Sequence, residues 1–307
     1  MKKRTNVQIV LMLLAIAFLS MTGSASAQDS STGPKPAGTT KIDNRITYHN
    51  GPIVTGTPNL YIVWYGCWGD PNCGAGGDNG TLWVLGDFFS NLGSTPYFQI
   101  NSTYPDSIGN VPSGALVYAG TAVDKTYNNG RELTASQIQG IIATQMVHGE
   151  LPLDPSGIYL VLASADVGST STGFCVASEP PHHGYGTYLG TQFRYAFVGN
   201  PLRCPTVAAP QFFKGRNVLP TPNANLAADA MASTIAHVLS TLITDPLGSG
   251  WFDGNGLENA DKCDGQFGLT YAVANGARAN VKMGARDYLL QENWVNDGKG
   301  RCALTPY

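Results

Sequence analysis

His237 is the side chain best placed to do chemistry in this sequence. It lies in NANLAADAMASTIAHVLSTLITDP, Asn223 to Pro246, and Asp245, Glu258 and Asp261 follow it downstream. Imidazole and carboxylate are groups a zinc ion takes as ligands, and a histidine on a helix with an acid returned from later in the chain is one way zinc hydrolases assemble a site. His182 and His183 are the further imidazoles that would complete such a set. A histidine merely solvated on a helix surface fits the same local pattern.

The element that must position His237 reads as one long helix. At a hundred degrees per residue Met231, Ile235, Val238, Leu239 and Leu242 fall on one face, the stripe of a helix pressed into a core. His237 lies away from that stripe with Ala230, Ser233, Thr234, Thr241 and Thr244, a small and polar side suited to lining a cleft. Thr244-Asp245-Pro246 ends the helix, because proline disfavours a helical residue before it and cannot continue the ladder. The glycine-rich run Trp251 to Cys263 then permits tight turns that bring Asp253, Glu258 and Asp261 together.

The N-terminus has the marks of a secretory signal peptide over residues 1–27: Lys2-Lys3-Arg4, an apolar run from Val7 to Met21, and Ala25-Ser26-Ala27 before Gln28. That run is short and wrongly flanked for a membrane span, so no span is expected in the mature chain. Residues 28–43 hold almost nothing that could be buried and read as a disordered leader. Residues 44–307 read as one domain, near the upper size for a single core. The net charge of −3 becomes −6 once the three leader cations are lost, and no basic patch replaces them, which argues against a nucleic-acid partner. With 37 glycines and 19 prolines but a 43% apolar fraction, the chain is loop-rich and still able to fill a core.

Six cysteines in an exported chain imply disulfides. Cys67 and Cys73 flank a short turn-rich insert and read as a local bridge; the other four leave their pairing open.

Leu60 to Tyr65 and Ile158 to Ala163 are apolar throughout, the mark of strands covered on both faces. Thr81 to Leu92 and Thr134 to Gly149 carry helical spacing, and Ala115 to Val123 reads as a strand between them. Ile46 to Thr55 reads as a short strand with a turn at Asn50-Gly51. Tyr195 to Val198 reads as an edge strand in an otherwise looping stretch, and Val281 to Met283 and Leu289 to Trp294 as late strands. The order implies an α/β fold: a mixed sheet with helices on its faces, a zincin-like central helix, many loops and disulfide staples. There is no GxSxG elbow, HExxH or glycine-rich phosphate loop. Of the tryptophans, Trp64, Trp83 and Trp294 are expected in the core, and Trp68 and Trp251 in exposed loops where they could stack on sugars.

YHNGPIVTG (from Tyr48), LYIVWYG (Leu60), SGIYLVLASADV (Ser156), GFC (Gly173), YAFVGN (Tyr195), RCP (Arg203), IAHVLSTLITDP (Ile235) and ENADKC (Glu258) together resemble, in order, the EXORDIUM-like or phosphate-induced secreted protein family. The resemblance implies an extracellular protein linked to growth and cell expansion. In that family the helix motif looks like HELAE followed by a TDP-type turn. His237 matches, while Val238 and Thr241 stand where the two glutamates would be. The resemblance also carries second cysteines where this chain has Glu179 and Ala208, which implies Cys175–Cys204 and Cys263–Cys302 here.

The expected function is therefore an exported, non-catalytic protein that binds an extracellular protein or polysaccharide at the cell surface or matrix, or in the periplasm of a Gram-negative host. The alternatives are a zinc-dependent hydrolase with a degenerate HExxE motif, using His237 with Glu258 or Asp261 and His182 or His183, and a carbohydrate-binding protein. Without Glu at 238 the roughly 10²–10⁴ of general base catalysis would have to come from another acid. Zinc is the one cofactor the residues suggest.

Overall fold

The computed structural model describes residues 45–307 except 75–76 and 177–181. The signal peptide, the leader and Glu179, Pro180 and Pro181 lie outside the described residues.

Five strands form the central sheet. They are Asn59–Tyr65 (β1), Val117–Asp124 (β2), Ile158–Ala163 (β3), His183–Tyr188 (β4) and Thr191–Val198 (β5). Their spatial order is β2-β1-β3-β5-β4, parallel except that β4 runs antiparallel to β5. Every residue of β3 is buried, as are Leu60 to Tyr65 of β1, because helices cover both faces. Helices Asn79–Leu92 (α1) and Leu226–Thr244 (α3) pack on the face carrying Ile62, Trp64, Leu160 and Val198. Helix Ala135–Val147 (α2) places Ile138, Ile141 and Ile142 on the other, against Val63, Tyr159 and Phe197. The mixed α/β sheet with helices on its faces is thus the architecture, held by the bridges Cys67–Cys73, Cys175–Cys204 and Cys263–Cys302.

Three details depart from expectation. Tyr195–Val198 is no edge: β5 lies between β3 and β4, and the edge is β4, whose glycine-broken sequence HGYGTY hides its strand character. Leu289 to Gln291 is irregular and separates the short strands Arg286–Tyr288 and Asn293–Val295. Near the N-terminus only Thr47–Tyr48 is a ladder, paired with Trp251–Phe252. Gly51 approaches Ser249 so closely that a Cβ would sit 2.2 Å from its carbonyl oxygen, which explains the glycine.

Helix α3 is capped by Asn225, whose side chain accepts from the Ala228 amide, and it ends at Asp245 before Pro246. It is buried nearly all round, polar side included. The reason lies in the last third of the chain, which covers the side turned from the sheet. Asn259 Nδ2 donates to the Ser240 carbonyl at 3.1 Å, and the Gln291 amide donates to Ser233 Oγ at 3.0 Å. A helix of this length and apolarity would pass for a membrane span by composition, yet here it is a core helix. Beyond the helix itself, the zincin-like character expected of α3 has no counterpart among the described residues.

Trp64 is in the core as expected, but three other tryptophans reverse their expected places. Trp68 and Trp251 are buried, Trp68 because its indole N–H donates to the Tyr65 and Leu162 carbonyls, and Trp83 is 70% exposed on α1.

Candidate functional site

His237 is not a solvated surface residue: it is 4% exposed, and both ring nitrogens are engaged. Nε2 lies 2.8 Å from Asp261 Oδ1, and Nδ1 lies 3.1 Å from Gln291 Nε2. The Gln291 amide is oriented by a second bond, Nε2 donating to the Ala260 carbonyl at 2.8 Å. Its nitrogen is therefore the donor to His237 Nδ1, so the neutral ring carries its proton on Nε2 and gives it to Asp261. Asp261 also accepts from the Glu258 amide through Oδ2, at 3.0 Å. Burial works most strongly against the Asp261 charge, but the bonds from His237 and the Glu258 amide, together with the neighbouring imidazoles, outweigh it and hold the carboxyl below the ordinary range.

A second carboxyl–imidazole pair lies beside the first. His183, the first residue of β4, places Nε2 3.0 Å from Glu258 Oε2. Burial, then the neighbouring charges of Asp261 and Asp245, push the Glu258 carboxyl well above its ordinary value. Burial likewise pulls the His183 ring down. Both directions favour a neutral hydrogen bond over an ion pair. The buried His183 Nδ1 is left with no partner among the described residues. Asp245 meets Glu258 from the helix end and also holds the turn, with Oδ1 accepting from the Ser249 and Gly250 amides at 2.6 and 2.7 Å. Asp253 is held by Lys262 at 2.8 Å.

A cleft of about 560 Å³ opens over His237. Its floor is Ser233, Thr234, His237, Asp261 and Gln291. One wall is the 172–176 segment with Phe197, and another is the 206–211 segment, the two tied by Cys175–Cys204. His182 also lines it. The structure therefore brings His237, Asp261 and His182 to one cleft with His183, Glu258 and Asp245 close by.

No three His, Cys, Asp or Glu side chains among the described residues form a group that could hold a metal ion. The donor set fits zinc poorly on its own geometry, because neither nitrogen of His237 keeps a free lone pair: one carries the proton and the other accepts from Gln291. Val238 is wholly buried in the core, and Thr241, 1% exposed, donates its hydroxyl to the Val238 carbonyl. Gln291 escaped sequence reasoning, since a lone glutamine far downstream carries no motif. So did Thr172, whose buried hydroxyl in the cleft wall has no hydrogen-bond partner.

Fold and site together define an α/β protein with a ligand-sized cleft over a buried carboxylate–imidazole network. Residues 46–294 match the family model described as the phosphate-induced protein 1 conserved region, and the chain belongs to that family. Protein EXORDIUM-like 5 of Arabidopsis thaliana is 30% identical over 246 residues, 73% of this chain and 65% of that protein. The chain thus spans slightly less than two thirds of that relative's length. EXORDIUM-like 3 of the same plant is 28% identical over 281 residues, covering 81% and 80% of the two chains. PHOSPHATE-INDUCED 1 of Nicotiana tabacum is 25% identical over 248 residues, 72% of each. No solved structure matches the chain.

Proposed function

We propose that this family member is exported and acts by binding, in the cleft over His237, an extracellular partner at the cell surface or matrix, without turning it over. One observation carries the reading. The imidazole that chemistry would need has both nitrogens committed, to Asp261 and Gln291, and the carboxylate beside it, Asp261, is bonded to that same ring and to the Glu258 amide. The disulfides fit an oxidising compartment, and the leader, outside the described residues, supports export. The zincin-like reading belongs here as descent: a helix histidine met by a downstream acid is what a zinc hydrolase would leave behind after its glutamates became Val238 and Thr241. Sugar binding has less support than the sequence suggested, because Trp68 and Trp251 are buried.

The test uses purified mature protein. Binding to an isolated cell-wall or cell-surface fraction is compared with Ala208→Trp, which fills the cleft from its wall, and zinc content and hydrolysis are compared with His237→Ala. Binding lost in Ala208→Trp, with no zinc or turnover that depends on His237, supports the reading. Stoichiometric zinc and hydrolysis that vanish in His237→Ala would overturn it, as would binding untouched by Ala208→Trp.

A further inference from the structure

The cleft's walls narrow the chemistry of what enters it, on the reading that it is a binding site. Among the described residues that line it none is a lysine or arginine, and the charged side chains are Asp261 in the floor and Asp264 at the rim. The nearby cations are spent elsewhere, Lys262 on Asp253 and Arg203 on Glu132. An anion would meet only negative charge, so phosphate, sulfate and carboxylate ligands are disfavoured. The upper walls are apolar and aromatic: Phe174, Phe197, Phe267, Val207 and Leu257. Phenylalanine faces offer apolar area and, through their quadrupole, attraction for a cation.

Two polar features are left unfilled. An ionised carboxylate has about four lone-pair sites, and Asp261 uses one at each oxygen, for His237 and the Glu258 amide. Thr172, 4% exposed, sets a hydroxyl in the wall with no hydrogen-bond partner among the described residues. Buried polar atoms are nearly always satisfied, so an orphan in the wall of a cleft points to a ligand that completes it. A volume of about 560 Å³ lies within the range of small-molecule sites.

We infer that the cleft binds a small amphipathic amine, its apolar body between the phenylalanines and its ammonium on Asp261. Asp264 at the mouth adds attraction for the same charge. Asp261 stays ionised at neutral pH because its bonds to His237 and the Glu258 amide and the neighbouring imidazoles together outweigh burial. His237 acts as a positioning residue, fixing the carboxylate that receives the ligand.

The experiment is calorimetric titration of the mature protein with three isosteric probes: phenethylamine, phenethyl alcohol and hydrocinnamate. The amine is expected to bind at least about tenfold tighter than the alcohol, with the carboxylate weakest, and added salt should erode the difference. Asp261→Asn should weaken the amine at least about tenfold and leave the alcohol unchanged. Asp264→Asn, at an exposed position with no fold role, should weaken it about two- to threefold. The inference is overturned if the alcohol or carboxylate binds as tightly as the amine, if neither variant changes amine affinity, or if no probe binds. None of these results touches the binding reading itself, which falls if Ala208→Trp leaves surface binding intact or if zinc-dependent hydrolysis depends on His237.

Discussion

Gln291 Nε2 donates to His237 Nδ1 across 3.1 Å, and this bond, made by a residue 54 positions downstream, sets the tautomer of the imidazole in the cleft floor. The same nitrogen donates to the Ala260 carbonyl. Gln291→Leu therefore strands two buried acceptors at once. The expected cost is about 2–6 kcal/mol at about 1–3 per stranded group, read as a lower midpoint in chemical denaturation. Gln291→Glu should cost less at low pH, where a protonated carboxyl can still donate to one of them. A Gln291→Leu midpoint equal to that of the unmodified protein would show that the bond does not hold the ring.

Glu258 gives stability a pH dependence of known sign. Its folded carboxyl is raised well above the unfolded value, so its contribution is complete below the ordinary glutamate range and is lost as pH rises through the folded value. The loss can reach about 1.4 kcal/mol per pH unit for one proton. Glu258→Gln cannot ionise, so its stability relative to the unmodified protein should improve steadily from about pH 5 upward. His183, lowered by burial, runs the other way: its contribution is present above the ordinary histidine range and lost as pH falls below it. Denaturation midpoints across pH for the two proteins decide this. Parallel curves would show that Glu258 titrates normally.

Restoring a glutamate beside His237 should break the fold before it builds a site. Val238 is wholly buried in the core shared by α3, α1 and the sheet. A carboxylate there has no partner, and an unpaired buried charge places Val238→Glu among the most damaging substitutions, with a loss of about 3–5 kcal/mol. Soluble yield and thermal midpoint report it. Val238→Glu that folds normally would mean the core at this helix has room for water.

Much of this was legible in the sequence, for reasons that differ by element. β1 and β3 declared themselves because a strand buried on both faces has no room for polar residues. The stripe Met231, Ile235, Val238, Leu239 and Leu242 marked the core face of α3 in the same way. The other side of α3 does line a cleft through Ser233, Thr234 and His237, but its burial could not be read, because its cover comes from Asn259 and Gln291 and contacts made across such separations leave no local period. β4 was missed because Gly184 and Gly186 broke the strand pattern. Both pack against aromatic rings of β5, and a Cβ at Gly186 would lie 2.5 Å from Phe193. His237 with Asp261 was within reach of sequence reasoning, since turn-forming glycines predict a returning acid. The Gln291 amide and the Thr172 hydroxyl were not.

The cleft depends on one covalent tie. Cys175, at φ 68°, and Cys204 join the two segments that form its walls. An L-residue in that left-handed region is strained, and the bridge helps hold it there. Gly199 leaves just enough room for the Phe174 ring, which a Cβ would meet at 2.3 Å, so this wall is fitted closely. A bridge between residues 29 apart contributes about 3–4 kcal/mol in the loop-entropy account. The double variant Cys175→Ser, Cys204→Ser is therefore expected to melt lower and, where it remains folded, to bind cleft ligands at least about tenfold more weakly. Removing Cys67–Cys73, which sits away from the cleft, should lower stability alone. If opening Cys175–Cys204 changed the melting temperature but not cleft affinity, the walls would be held by packing of Phe174 on Phe197 rather than by the sulfur bridge.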